Sequence, residues 1–99
     1  MSYTVRLAPD AAEDLERLFT YLAERELPSA EQARDAIAKA FEFLHSFPFA
    51  CRKASSEHVF LREMLIEFGH AGYVALYEIE ADKIVTILAV RHQREDDYH

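Results

Sequence analysis

Two runs of strand-forming residues near the end of the chain constrain its fold most strongly. Residues 73–79 and 84–90 are apolar at nearly every position, and only the short break Glu-Ala-Asp-Lys at residues 80–83 separates them. Two such runs divided by a short polar break predict an antiparallel β-hairpin. Because both runs are so uniformly apolar, they are predicted to be central strands, and another part of the chain must cover at least one face of the sheet.

The first part of that cover is predicted to be a helix that follows an initial strand. Residues 3–8 alternate between apolar and polar side chains, which is the period of a half-buried strand. Pro9 ends this strand, and Asp10 is the expected N-cap of a helix that runs to about Glu26. The apolar stripe of this helix, at helical spacing, consists of Leu15, Leu18, Phe19 and Leu22.

A second helix is predicted directly afterwards. Pro28 interrupts the first pattern, and residues 29–32, Ser-Ala-Glu-Gln, have the form of a capping box. The stripe that follows consists of Ala33, Ile37, Ala40, Phe41 and Leu44. Because the connection is short, the two helices are expected to form an antiparallel hairpin. Tyr21, Tyr73, Tyr77, Phe41 and Phe43 are expected to pack between the helices and the sheet.

The rest of the chain completes the sheet. Residues 49–57 have no periodicity and are predicted to be a loop, residues 58–68 alternate as a strand, and residues 69–72 form a turn into the hairpin. The order β-α-α-β-β-β predicts a two-layer α+β fold, in which a helix hairpin packs on a four-stranded, mainly antiparallel sheet. A chain of 99 residues that is 51% hydrophobic has material for one core, so residues 1–99 are expected to be a single domain.

Composition narrows the possible functions. The formal net charge of -7 disfavours non-specific binding to nucleic acid, which depends on cations that neutralise phosphates. Cys51 is the only cysteine, so an internal disulfide is excluded and a reducing compartment is favoured. Because the sequence has no targeting pattern and no long apolar run, we expect a soluble cytoplasmic protein that does not bind membranes. The histidines and carboxylates follow no recognised metal-ligand spacing, so neither metal nor cofactor is expected.

Five short motifs, in order along nearly the whole chain, resemble the RelE/ParE superfamily of toxins from type II toxin–antitoxin modules. They lie at residues 8–15, 44–48, 61–63, 72–77 and 90–98. The resemblance implies a small toxin that a cognate antitoxin, ParD-like or of another class, neutralises by wrapping it with an extended segment. It also implies one of two targets. The ParE-like branch, which the long helix hairpin favours, inhibits DNA gyrase without known hydrolytic chemistry, and the RelE-like branch cleaves mRNA on the ribosome.

The nuclease branch makes demands on particular residues. Cleavage of RNA without a metal needs groups that remove a proton, stabilise the phosphate and protonate the leaving oxygen. Arg62, His92, Arg94 and Tyr98 fall on positions that resemble those of the nuclease branch. Two features depart from that branch, which is usually basic and rich in lysine: the chain is acidic overall, and three carboxylates at residues 95–97 adjoin the candidate residues. Such carboxylates would repel a scissile phosphate unless they face away.

Each candidate residue also has a structural interpretation. Arg62 is as well explained by an ion pair near Glu63 or with the tail, and Arg91 by pairing with Asp96 or Asp97. His92 is more often a bonded or solvated histidine than a base.

Three hypotheses remain open. In the first, the toxin binds gyrase and is not an enzyme, and the tail residues Arg91, His92, Arg94 and Tyr98 recognise the target. In the second it is a ribosome-dependent mRNA endonuclease. In the third only the pairing with an antitoxin remains.

Overall fold

The computed structural model describes residues 2–68 and 71–93, and within them two helices are inserted after the first of five strands. The elements are β1 (Thr4–Leu7), α1 (Pro9–Arg25), α2 (Leu27–Leu44), β2 (Arg52–Ser55), β3 (His58–Phe68), β4 (Ala71–Glu80) and β5 (Ile84–His92). Short 3-10 turns occupy Pro48–Ala50 and Ala81–Lys83. The predicted α+β class, with a helix hairpin on a mainly antiparallel sheet, is confirmed. In the described ranges no helix is long and apolar enough to cross a membrane.

The sheet has five strands rather than the four predicted. Its order is β1-β5-β4-β3-β2, with β1 parallel to β5 and the other neighbours antiparallel. The additional strand β2 lies in the segment that was predicted to be a loop. Its residues lack an apolar alternation of their own, but Arg52 pairs with Glu63 and Lys53 pairs with Arg62 on the long strand β3. Pairing with a neighbouring strand therefore overrides the local sequence here.

Both helix starts differ from the capping predictions. Helix α1 starts at Pro9, with Ala8 as its N-cap and no side-chain cap bond, so Asp10 lies within the first turn instead of capping the helix. Proline is well suited to this first position because its φ is already helical and it lacks an N–H that would stay unpaired. Helix α2 starts at Leu27, two residues before the predicted capping box at Ser29. The Ser29 hydroxyl donates instead to the Glu26 carboxylate at 2.6 Å.

The core lies between the helix pair and one face of the sheet. Its buried members are Ala11, Leu15, Leu18, Ala33, Ile37, Leu44, Met64, Ile66, Tyr73, Ala75, Tyr77, Ile79, Val85, Ile87 and Val90. The predicted burial of Tyr73 and Tyr77 is confirmed, and Phe41 packs against this core. The predicted burial of Tyr21 and Phe43 is wrong, since they are 52% and 41% exposed. Tyr21 lies beside the Arg25 guanidinium, and Phe43 contacts Phe47.

Candidate functional site

The end of β5, from which the C-terminal tail starts, is anchored to α1 by one carboxylate. Pairing between β1 and β5 ends at Ile87. Beyond that point the Asp14 carboxylate accepts the Val90 N–H at 2.9 Å and an Arg91 Nη1 donor at 2.5 Å. Arg17 Nη2 donates to the other oxygen of Asp14 at 3.1 Å. The Asp14 carboxylate thus satisfies a backbone donor on a strand edge that β1 leaves uncovered.

Arg91, a predicted target-binding residue, has a structural partner. Its side chain is 16% exposed and that of Asp14 is 8% exposed, so the pair is largely withdrawn from water. Asp96 and Asp97, the partners expected from the sequence, lie outside the described residues. Asp14 was not predicted as part of the site, although the sequence contains a signal: this carboxylate falls within the apolar stripe of α1, three residues after Ala11 and four before Leu18.

His92 is the last residue of β5, and its ring packs edge-on against Tyr73 with 5.7 Å between the ring centroids. Tyr73 in turn stacks on Phe68 at 5.8 Å. Burial raises the pKa of the Tyr73 hydroxyl above its ordinary value. The next residue, Gln93, donates its backbone N–H to the Gly72 carbonyl at 2.8 Å. His92 is therefore held at the edge of the core. The other two predicted tail residues, Arg94 and Tyr98, lie outside the described residues.

Arg62, predicted as a catalytic candidate on β3, is bonded to backbone carbonyls. Its Nε donates to Val59 at 2.7 Å, and its Nη1 donates to Cys51 at 2.8 Å and to Phe49 at 3.2 Å. Its guanidinium also lies 5.3 Å from the centroid of the Phe49 ring. Near Glu63, where an ion pair with Arg62 was considered, it is Arg52 that pairs with the carboxylate, at 3.1 Å. Arg62 thus ties the segment before β2 to the start of β3.

The buried side chain of Tyr77 binds the same segment, the residues just before β2. Its fully buried hydroxyl donates to the Pro48 carbonyl at 2.5 Å. Burial, reinforced by a hydrogen bond with Cys51, raises the pKa of Tyr77 well above its ordinary value. A hydroxyl with so high a pKa remains a hydrogen-bond donor near neutral pH and does not form the phenolate that would act as a base. Tyr77 and Arg62 therefore fix the turn at Pro48–Ala50 from two directions.

The structure does not bring Arg62 and His92 together. Arg62 lies opposite Tyr77 on β4, whereas His92 lies opposite Tyr73, so their partners are four residues apart and the two residues are two strands apart. With a rise of about 3.4 Å per residue and a strand spacing of about 4.8 Å, their Cα atoms are separated by roughly 17 Å. They share a sheet face but belong to two separate places on it.

Two further features bear on what the surface can bind. A groove of about 570 Å³ runs between the helices, lined by Phe19, Ala23, Leu27, Ala30, Glu31, Arg34 and Asp35. Within residues 2–68 and 71–93, no group of three or more histidines, cysteines or carboxylates is placed to hold a metal ion.

Sequence comparison identifies relatives over nearly the whole chain. Residues 5–97 match the family described as the ParE toxin of the type II toxin-antitoxin system parDE. The chain is 34% identical over 92 residues to Toxin RelE3 of Caulobacter vibrioides, which covers 93% of this chain and 96% of that protein. The two comparisons thus carry names from both branches of the superfamily.

Solved structures with the same fold come from both branches as well. A structure of the chromosomal ParDE system of P. aeruginosa has a TM-score of 0.70 at 17% identity, covering 92% of this chain and 96% of that one, so the likeness concerns the fold alone. The RelBE2 toxin-antitoxin complex of Mycobacterium tuberculosis has a TM-score of 0.59 at 26% identity, covering 93% of this chain and 99% of that one.

Proposed function

The chain belongs to the ParE family of toxins from type II toxin-antitoxin systems, and we propose that it inhibits DNA gyrase by binding it in the cytoplasm. In this proposal the toxin needs no cofactor and is held inactive by a cognate antitoxin encoded beside it. The target is the one that the resemblance to the ParE branch implies. The residues proposed to recognise it are His92, Arg94 and Tyr98, in the tail and at its base. Arg91, which was also predicted to bind the target, is instead the residue that holds this base to Asp14.

The observation that carries the proposal is which groups of the protein the arginine side chains pair with. Binding a reacting RNA phosphate requires cations that face the phosphate and remain free to stabilise its charge. Four arginines are instead paired with carboxylates of the chain itself: Arg6 with Glu80, Arg17 and Arg91 with Asp14, and Arg52 with Glu63. In a chain with a net charge of -7, this arrangement suits a protein target better than a polynucleotide.

A second candidate function, ribosome-dependent cleavage of mRNA, is favoured by the 34% identity to Toxin RelE3. It would use Arg62, His92, Arg94 and Tyr98. The roughly 17 Å between the Cα atoms of Arg62 and His92 argues against a single compact site that contains both.

Purified toxin tests the proposal directly. We expect it to block supercoiling of plasmid DNA by gyrase or to trap cleaved DNA, and we expect added antitoxin to reverse the effect. Primer-extension mapping should find the same mRNA ends after expression of the His92→Gln toxin as after expression of the wild-type toxin. If His92 is a proton-transfer group, the same replacement should lower cleavage by about a hundredfold. Unaffected gyrase together with mapped mRNA cuts that His92→Gln abolishes would overturn the proposal.

The role of the tail is tested by truncation after Gln93, which keeps the Gln93–Gly72 hydrogen bond. We expect the truncated protein to melt cooperatively and to bind the antitoxin, while its inhibition of growth and of gyrase is lost. Full inhibition by the truncated protein would move the target-binding surface to the helix hairpin. Unfolding would instead make the tail a structural strap.

A further inference from the structure

Two pairs of exposed aromatic rings lie in the part of the chain that runs from the end of α2 to β3. Four phenylalanines between residues 43 and 60 are 41–57% exposed, and they form two contacting pairs: Phe43 with Phe47, and Phe49 with Phe60. Aromatic side chains are enriched at protein–protein interfaces, so an exposed aromatic pair is a candidate binding site.

The second pair is held in place rather than loosely exposed. Phe49 and Phe60 meet edge-on with 6.0 Å between ring centroids. Arg62 lies against the Phe49 ring and bonds the carbonyls of Phe49 and Cys51, while Tyr77 bonds the carbonyl of Pro48. Because the backbone on both sides of Phe49 is fixed, the ring loses little freedom when a partner covers it. A surface organised in this way before binding gains affinity from the lower entropic cost.

The same place carries two cations that face each other. Lys53 on β2 and Arg62 on β3 lie directly opposite one another in the sheet. Like charges at directly opposed positions destabilise an antiparallel pair. A carboxylate from another molecule placed between them would relieve that repulsion.

The charge of this segment differs from that of the rest of the protein. Residues 43–62 contain three basic and one acidic side chain, while the remaining residues contain eight basic and seventeen acidic side chains. A partner whose binding segment is acidic and apolar would therefore be attracted here and repelled elsewhere on the toxin. The surface around α1 illustrates the contrast, because its outer face includes Glu13, Glu16 and Glu24.

We propose that the surface formed by Phe49, Phe60, Lys53 and Arg62 binds an acidic, apolar segment of the cognate antitoxin. Apolar side chains of that segment cover the two rings, and a carboxylate lies against Lys53 and Arg62. The inference rests on the proposed toxin-antitoxin pairing and is independent of the gyrase target. The antitoxin is the occupant because residues 5–97 match a family of toxins from toxin-antitoxin systems, and the relative that is 26% identical was solved as a toxin-antitoxin complex.

The test measures binding of the purified cognate antitoxin by calorimetry. Phe60→Ala should weaken binding by about tenfold or more, as expected for an aromatic anchor at an interface. Lys53→Glu should also weaken binding, and raising the salt concentration should reduce the difference between Lys53→Glu and wild type. Leu65→Ala is the matched control: Leu65 lies on the same strand, is 52% exposed beside 55% for Phe60, and points to the opposite face of the sheet. It should bind as wild type does.

The gyrase assay separates this inference from the proposed function. We expect free Phe60→Ala toxin to inhibit gyrase as wild type does while escaping neutralisation by the antitoxin. Equal antitoxin affinity for Phe60→Ala and wild type would overturn the inference. Loss of gyrase inhibition with unchanged antitoxin affinity would assign the surface to the target, and competition by a short RNA for the surface would assign it to nucleic acid. Wild-type toxin that fails to bind the antitoxin at all would overturn the pairing itself.

Because Phe60 is largely exposed, Phe60→Ala is expected to fold, and Phe60→Leu provides a second variant that keeps an apolar side chain.

Discussion

Two arginines on the same sheet show how differently one protein uses the same side chain. Arg91, at the end of β5, is mostly withdrawn from water and paired with the buried carboxylate of Asp14. Arg62, on β3, is bonded to neutral carbonyls and lies against an exposed aromatic ring. The positive charge of Arg91 is neutralised by a carboxylate of the protein, whereas the positive charge of Arg62 is not neutralised and lies at the surface. The role of a charged side chain near a candidate site therefore depends on whether another group of the protein neutralises its charge.

The largest expected effect is loss of the Asp14 carboxylate. Asp14→Ala leaves Arg91 charged in a partly dry site and leaves the Val90 N–H without its acceptor. Removing one partner of a buried ion pair typically costs about 3–5 kcal/mol. Urea unfolding should register this loss, with Asp10→Asn, an exposed acid in the same helix, changing stability by at most about 1 kcal/mol. A loss for Asp14→Ala no greater than that of the control would contradict the view that the pair anchors β5.

High pH provides a second comparison, since each region contains one buried tyrosine: Tyr73 beside His92, and Tyr77 beneath Pro48. Burial raises the pKa of both hydroxyls in the folded protein. Below about pH 10 both states keep these protons, so the stability is fully present. Above that pH the unfolded chain loses protons that the folded chain retains, so the free energy of unfolding should fall. The fall should reach at most about 1.4 kcal/mol per pH unit for Tyr77, and Tyr73 should contribute in the same direction.

Stability measured by urea unfolding between pH 9 and 11 checks this expectation. Tyr73→Phe and Tyr77→Phe should each flatten the decline, and each variant isolates one region. Tyr77→Phe should also lower stability at pH 7, by about 1 kcal/mol, because the Pro48 carbonyl loses its donor. A decline with pH that persists unchanged in both variants would show that other groups cause it.

Loss of Arg62 is expected to have a smaller effect than loss of Asp14. Arg62→Met removes donors to three carbonyls but leaves no buried charge behind, so we expect a loss of about 1–2 kcal/mol. Arg52→Met, which breaks a largely exposed pair with Glu63, should cost about 0–1 kcal/mol. Equilibrium unfolding of both variants gives the comparison. If Arg62→Met were as costly as Asp14→Ala, the two regions would be equally structural and the contrast between them would fail.

Sequence reasoning succeeded where side-chain periodicity reflects burial. The two apolar runs, the helix stripes and the alternation in residues 58–68 were sufficient for the fold class and for most strand positions. Strand β2 was missed because its pairing is dictated by β3 and not by its own residues. The helix starts were misplaced because capping side chains were expected at Asp10 and Ser29, whereas the N-caps are Ala8 and Glu26 and a proline lies in the first turn of each helix.

The candidate site was harder to predict, because its residues act through contacts between distant parts of the chain. Asp14 binds Val90 and Arg91, which lie 76 and 77 residues away, and no local pattern encodes such contacts. The clue that was available, a carboxylate on an apolar helical stripe, points to a buried partner of opposite charge or to a backbone donor. Likewise, Arg62 was recognised as important, but only its spatial neighbours reveal that it supports the surrounding backbone.

The parallel pairing of β1 with β5 also fixes when the toxin can be completed during synthesis. Thr4–Leu7 are made about 80 residues before their partners in the sheet, which begin with Ile84. At roughly 5–20 residues per second, the first strand waits about 4–16 s for its neighbour. Until β5 is made, β4 also lacks one of its two neighbours, because β5 lies between β1 and β4 in the sheet. The nascent protein therefore passes through a long interval without its finished sheet, and any surface that includes β5 or depends on its pairing forms only after Ile84–His92 have been made.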